Sequence, residues 1–346
     1  MIETRNTVLK ICAAPASVLC LSSCGGIHNA LNPSGPQAEN LSRLWWLFFI
    51  VCSAVFVIVM IALLLSLRNR TSEPPSAVTP TVQPPPEQER KRRNVTVTAV
   101  TITVVILFVF LIASFSAGRS MTAELAHKNG LTVEITGHQW WWEVRYNDVD
   151  ASNIFTTANE IHIPVGVPVT FSLKGGDVIH SFWVPNLSGK KDLIPGKINT
   201  MWLQADKPGV YRGQCAEYCG LQHARMALWV VADPQEQFNA WRQNQTQTSI
   251  PPSTDTQKRG QQVFLSSTCV MCHAIGGTNA ASNFGPNLTH VASRNTIAAA
   301  TVPNTHDHLA RWIADSQQYK PGNKMPQNNR GQDDLNAVVD YLQSLK

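Results

Sequence analysis

Residues 45–67 and 95–117 are two uncharged, largely apolar runs of 23 residues each. As helices, runs of this length span the ~30 Å of bilayer hydrocarbon, and a soluble core rarely buries two so uniform in character. They predict a two-helix transmembrane hairpin with a loop over 68–94. Trp45 and Trp46 suit the interfacial belt at one end. The loop carries Arg68, Arg70 and the cluster Arg90-Lys91-Arg92-Arg93, an excess of basic residues that places it on the cytoplasmic side. Pro74, Pro75, Pro80, Pro84, Pro85 and Pro86 predict that it lacks regular structure. Both ends of the hairpin then face outward, and the chain beyond Arg119 is extracytoplasmic.

Charge agrees with this division. Residues 1–120 hold ten Lys/Arg against five Asp/Glu, 121–247 ten against twelve, and 254–346 eight against six. No basic face interleaved with aromatics appears, so nucleic acid is not an expected partner. At the start, Arg5 and Lys10 precede a short apolar stretch, 11–21, ending Leu21-Ser22-Ser23-Cys24. That stretch is too short to cross a bilayer and reads as a secretory signal. Its end resembles a bacterial lipobox, which implies a signal segment over 1–24 and a lipidated Cys24 on the outer face.

Past the hairpin, the pattern becomes short alternating runs such as Thr132-Val133-Glu134-Ile135 and Glu160-Ile161-His162-Ile163, punctuated by Gly and Pro. This predicts an all-β sandwich or barrel within 121–242. A polar linker follows over 243–256, with Pro251-Pro252 in its middle, expected to be flexible. Residues 257–346 read as all-α. The closing helix from Asp333 puts Leu335, Val338, Val339 and Leu342 on one face.

The eight cysteines do not look like a disulfide framework. Cys12, Cys20 and Cys24 are N-terminal and Cys52 lies in an apolar run. The other four form two close pairs, each near a His, as in metal or haem sites. The first pair lies in Cys215-Ala216-Glu217-Tyr218-Cys219-Gly220-Leu221-Gln222-His223-Ala224-Arg225-Met226. Thiolate, imidazole and thioether together suit copper. Two thiolates can bridge two coppers if a second His comes from elsewhere, and His180 in Asp177-Val178-Ile179-His180 is the candidate. A zinc site would not need Met226, and a disulfide would need neither His.

These residues resemble the dinuclear copper (CuA) domain of cytochrome c oxidase subunit II. The resemblance implies a cupredoxin-like fold with Cys215 and Cys219 bridging and His180 and His223 terminal. Met226 and the backbone carbonyl of Glu217 would be weak axial ligands, with the Glu217 side chain reaching toward a magnesium shared with subunit I. A second mark is Gly137-His138-Gln139-Trp140-Trp141-Trp142-Glu143. Three consecutive Trp on a strand suggest an exposed contact surface, and in the family the first aromatic of the run receives the electron, a role that maps onto Trp140. The family often has a Glu at the start of the second membrane helix. Here that helix opens Arg93-Asn94-Val95-Thr96, and neither Glu87 nor Glu89 can be assigned the role.

Cys269-Val270-Met271-Cys272-His273 is the c-type haem attachment motif: two thioethers and an adjacent axial His. Met325, in Lys324-Met325-Pro326, is the expected sixth ligand; His290, His306 and His308 are alternatives expected to face solvent. Gly285-Pro286-Asn287-Leu288 resembles the loop whose Pro carbonyl orients the haem His in small class I cytochromes c. Gly260, Phe264 and Tyr341 resemble their packed helix contact. The implied function is an oxidase subunit in the bacterial plasma membrane. It would relay electrons from cytochrome c or a similar donor through haem c and CuA to subunit I, where oxygen is reduced to water with proton translocation. Subunit III is a further implied partner. Nitrogen-oxide reduction and a copper carrier are the rivals; the membrane hairpin disfavours the first and the haem motif the second.

Overall fold

The computed structural model describes residues 26–68, 86–122, 130–328 and 330–346, with side chains of 120–122 left aside. The expected signal and lipobox, including Cys24, and loop residues 69–85 lie outside the described residues. The chain divides into a helical unit, 40–124, and a larger unit formed mainly by 125–346.

The helical unit is built from α1 (Pro36–Arg68) and α2 (Pro86–Thr122). Apolar side chains are exposed all round both helices, Phe56, Ile58, Leu107 and Ile112 among them, as expected of helices solvated by lipid. Thr101 and Thr103 donate their hydroxyls to the carbonyls of Val97 and Ala99 at 2.8 and 2.9 Å, so neither adds an unpaired donor to an apolar surface. The expected loop is shorter than 68–94, because α2 starts at Pro86 and carries Arg90–Arg93 on its first turns. Proline is pre-set for the first helical position, Glu87 and Glu89 complement the helix dipole, and Arg and Lys are good helix formers.

In the larger unit, ten strands form two five-stranded sheets. One has the order β3 (Phe155–Ala158), β2 (Trp141–Asn147), β1 (Thr132–His138), β5 (Val169–Gly175), β8 (Asn199–Leu203). The other is β4 (Glu160–Pro164), β10 (Ala227–Asp233), β9 (Gly209–Cys215), β6 (His180–Trp183), β7 (Lys191–Leu193). Period-two alternation turns Val133 and Ile135 of β1, and Trp142, Val144 and Tyr146 of β2, into a shared core with Phe171, Leu173 and Phe182. The tryptophan run is therefore no exposed surface, contrary to expectation. Trp142 is fully buried, Trp140 is 8% exposed, and half-buried Trp141 stacks on His138 with centroids 4.6 Å apart. A helix, α3 (Gln235–Gln245), closes one end of the sandwich, where Trp241 stacks on His162 at 4.1 Å.

The linker also departs from expectation. Its first three residues belong to α3, and the rest is held against the helical domain. Ser249 donates its amide and hydroxyl to the carbonyl of Gly276, at 3.0 and 2.7 Å. The Gln247 carbonyl lies 3.1 Å from His290 Nε2. A capping box at Thr254 and Gln257 then starts α4 (Asp255–Leu265). This helix crosses α6 (Gln332–Ser344), with α5 (His306–Ala314) beside it. The crossing needs Gly260, since a Cβ there would sit 1.9 Å from the Ala337 carbonyl oxygen. Phe264 and Tyr341 fill the core of that crossing.

Candidate copper and haem sites

The copper candidates converge at one end of the sandwich. His180 opens β6, Cys215 closes β9, and the loop between β9 and β10 supplies the rest. The loop is pinned at its base by the Cys215 amide to the Met226 carbonyl (2.9 Å) and the Ala216 amide to the Ser181 carbonyl (3.0 Å). Gly220 turns it with φ +108°, and a Cβ there would press within 3.1 Å of the Trp140 ring.

Cys215 Sγ and Cys219 Sγ are 3.8 Å apart. A disulfide would need about 2.05 Å. Each thiol has its own imidazole: His180 Nδ1 lies 3.9 Å from Cys215 Sγ, and His223 Nδ1 lies 3.7 Å from Cys219 Sγ. Met226 Sδ sits 3.8 Å from Cys219 Sγ, and the Glu217 carbonyl 3.2 Å from Cys215 Sγ. His180, Cys215, Cys219 and Met226 are buried, whereas the Glu217 side chain is exposed. Soft donors a ligand-to-ligand distance apart around one point fit a thiolate-bridged copper site. The thiols titrate as a pair. Hydrogen bonding to Cys219 holds Cys215 down to about 3, and the same bond pushes Cys219 up, because a second thiolate beside the first is disfavoured.

Sequence reasoning missed three residues here. Asp177 Oδ1 accepts from His180 Nε2 at 3.0 Å, which turns Nδ1 toward the thiols. Burial pushes the Asp177 carboxyl up, but the His180 bond and the amides of Gln139 and Val178 outweigh it and hold it well below the usual carboxylate range. Gln139 donates through Nε2 to the Cys219 carbonyl at 2.9 Å, and Trp140 Nε1 donates to the same oxygen at 2.9 Å. The third is Lys320, 180 residues from Trp140 in sequence, whose Nζ donates to the Trp140 carbonyl at 2.6 Å. Asp177, three residues before His180, and Gln139, beside Trp140, lie next to residues the sequence singled out; Lys320 does not.

In the helical domain, Cys269 and Cys272 lie on and just after a 3₁₀ turn, Thr268–Met271, as free thiols. His273 Nδ1 is 2.7 Å from the Pro286 carbonyl, leaving Nε2 free to ligate. Burial pushes the His273 pKa down, which favours the neutral ring a ligand needs. Met325 is half-buried against the same apolar cluster as Cys269, Val270 and Leu288. The alternatives lead elsewhere. His306 pairs with Asp340 at 3.2 Å, and His308 Nδ1 lies 2.8 Å from the Thr305 hydroxyl. His290 is buried rather than solvent-facing, spanning the Lys346 and Gln247 carbonyls at 2.9 and 3.1 Å. Two free thiols, a carbonyl-fixed His and a half-buried thioether, with Cys269 and Met325 on one apolar cluster, fit a covalently held haem.

Residues 131–233 match the family described as cytochrome c oxidase subunit II, periplasmic domain, and residues 257–346 match cytochrome c. A cytochrome c oxidase subunit 2 of Alkalihalophilus pseudofirmus is 34% identical over 95% of this chain and 94% of its own length. One from Bacillus subtilis is 27% identical over 100% and 99%. One from Bacillus sp. strain PS3 is 32% identical over 66% of each.

Proposed function

Because the chain belongs to the cytochrome c oxidase subunit II family, whose members are parts of a haem–copper oxidoreductase, we propose that it is the electron-entry subunit of a proton-translocating oxidase reducing oxygen to water. In this reading it takes electrons from cytochrome c or a similar donor and passes them through haem c and CuA to subunit I. When bound, the haem and the copper pair supply one-electron storage. Cys269 and Cys272 would hold the haem covalently, with His273 and Met325 supplying ligands to its iron. Cys215, Cys219, His180, His223, Met226 and the Glu217 carbonyl would together hold the copper pair. Asp177 fixes the His180 ring, and the pinned loop fixes the others, so the donor set need not rearrange as charge changes. Trp140 is the proposed entry point to the copper site.

The outward Glu217 side chain and the neighbouring Tyr218, 74% exposed, support a contact surface for subunit I with a shared magnesium. Association with subunit III, a periplasmic site for both cofactor domains and lipidation of Cys24 belong to the same reading.

The observation that carries the proposal is the pair of thiols 3.8 Å apart, each backed by its own imidazole. Metal and haem analysis of the purified full chain tests it. About two coppers and one haem per chain are expected, and Cys215→Ser should lose the copper pair and keep the haem. One zinc and no copper would refute the copper assignment.

A further inference from the structure

The segment from Tyr319 to Met325 of the helical domain lies on the copper end of the sandwich. Lys320 is 3% exposed; its Nζ donates to the Trp140 carbonyl at 2.6 Å and to the Ala298 carbonyl at 3.2 Å. The Pro321 carbonyl accepts from Gln222 Nε2 at 2.7 Å, and the Tyr319 carbonyl accepts from Arg225. Lys324 Nζ is 3.5 Å from Asp177 Oδ2. These four partners all adjoin the copper candidates. Gln222 and Arg225 flank His223, Asp177 orients His180, and Trp140 bonds the Cys219 carbonyl. A second contact steadies the same face, where the Ala227 amide donates to the Ala299 carbonyl at 3.2 Å.

We infer that Lys320 is a positioning residue for electron transfer: it fastens the Met325-bearing segment onto Trp140, so that the haem and copper sites are joined within the chain without diffusional docking. This rests on the cofactor assignments proposed above. From Met325 the route runs along the backbone to Lys320, across one hydrogen bond to Trp140, and across a second to the Cys219 carbonyl. It contains no through-space gap, and electronic coupling falls off more slowly through bonds than through space. A buried amine with two carbonyl partners also fixes the approach more tightly than an apolar contact would, because leaving either carbonyl unpaired is costly. The docked segment covers Trp140, which is 8% exposed.

The test uses the full-chain oxidase with Lys320→Met. Both cofactors should load with unchanged spectra and potentials, while flash-initiated haem-to-copper transfer slows about tenfold or more, since small misplacements have large kinetic effects. A rate within about twofold of wild type, with both sites loaded, would overturn the inference and leave the cofactor reading intact. A wild-type preparation without the copper pair or the haem would remove the reading and the inference together. Amine labelling of the wild-type oxidase gives an independent check that needs no variant. Lys320 should stay unmodified under conditions that label Lys324, which is 69% exposed; equal labelling of the two would also overturn it.

Discussion

Trp140 and Cys219 share a hydrogen bond: the indole Nε1 donates to the cysteine carbonyl at 2.9 Å, 79 residues apart in the chain. The ring therefore touches the copper loop directly while its own carbonyl holds Lys320. Gln139 donates to the same Cys219 oxygen, so that carbonyl keeps a donor if the indole is lost.

Trp140→Phe should accordingly leave the loop in place and slow haem-to-copper transfer about tenfold. Gln139→Ala should slow it much less, because the ring contact survives. Flash photolysis of the two variants side by side makes the comparison; equal slowing would mean that loop placement, not the indole, sets the rate.

Met325→Ala should leave haem attached through Cys269 and Cys272. It should lower the reduction potential by on the order of 100 mV, within the ~0.8 V that axial ligation spans. The sulfur-to-iron charge-transfer band of the oxidised form should vanish. A persistent band would show that a residue other than Met325 supplies the sixth ligand.

His162 lies remote from both sites, with Nδ1 2.6 Å from Asp233 and Nε2 3.3 Å from Glu160. Burial alone would lower its pKa, but the bonds to Asp233 and Glu160 outweigh it and raise it above the ordinary ~6.5. A raised folded-state pKa contributes stability that is full below the unfolded value and fades as pH climbs through the folded one. The destabilisation by His162→Gln should thus be larger below about pH 6 than above about pH 9. Thermal unfolding of the detergent-solubilised chain across that range measures it; a pH-independent difference would argue against the charged pair.

Gly260→Ala should destabilise the helical domain by about 1–3 kcal/mol, because the new methyl overlaps the Ala337 carbonyl and the helices must separate. Chemical denaturation followed at the haem band should register this as a lower midpoint.

What the sequence by itself determined was written in short, contiguous patterns. The two apolar runs set the spans, because hydrocarbon thickness dictates a helix length. Cys215 to Met226 and Cys269 to His273 announced their chemistry, because one loop can present several donors at fixed spacing. The alternation over 132–135 and 160–163 gave the sandwich. The tertiary structure alone decided which surfaces stay open. Trp140 read as exposed but is covered, because the loop after Cys215 and Lys320 reach it from 79 and 180 residues away. His290 read as solvent-facing but bridges two carbonyls that the linker and the C-terminus bring to it. The linker composition implied freedom, yet Ser249 finds the Gly276 carbonyl on a domain folded beside it. Each of these depends on pairing groups far apart in sequence. A buried donor or acceptor must be satisfied by whatever the fold places next to it, and local spacing carries no record of that partner.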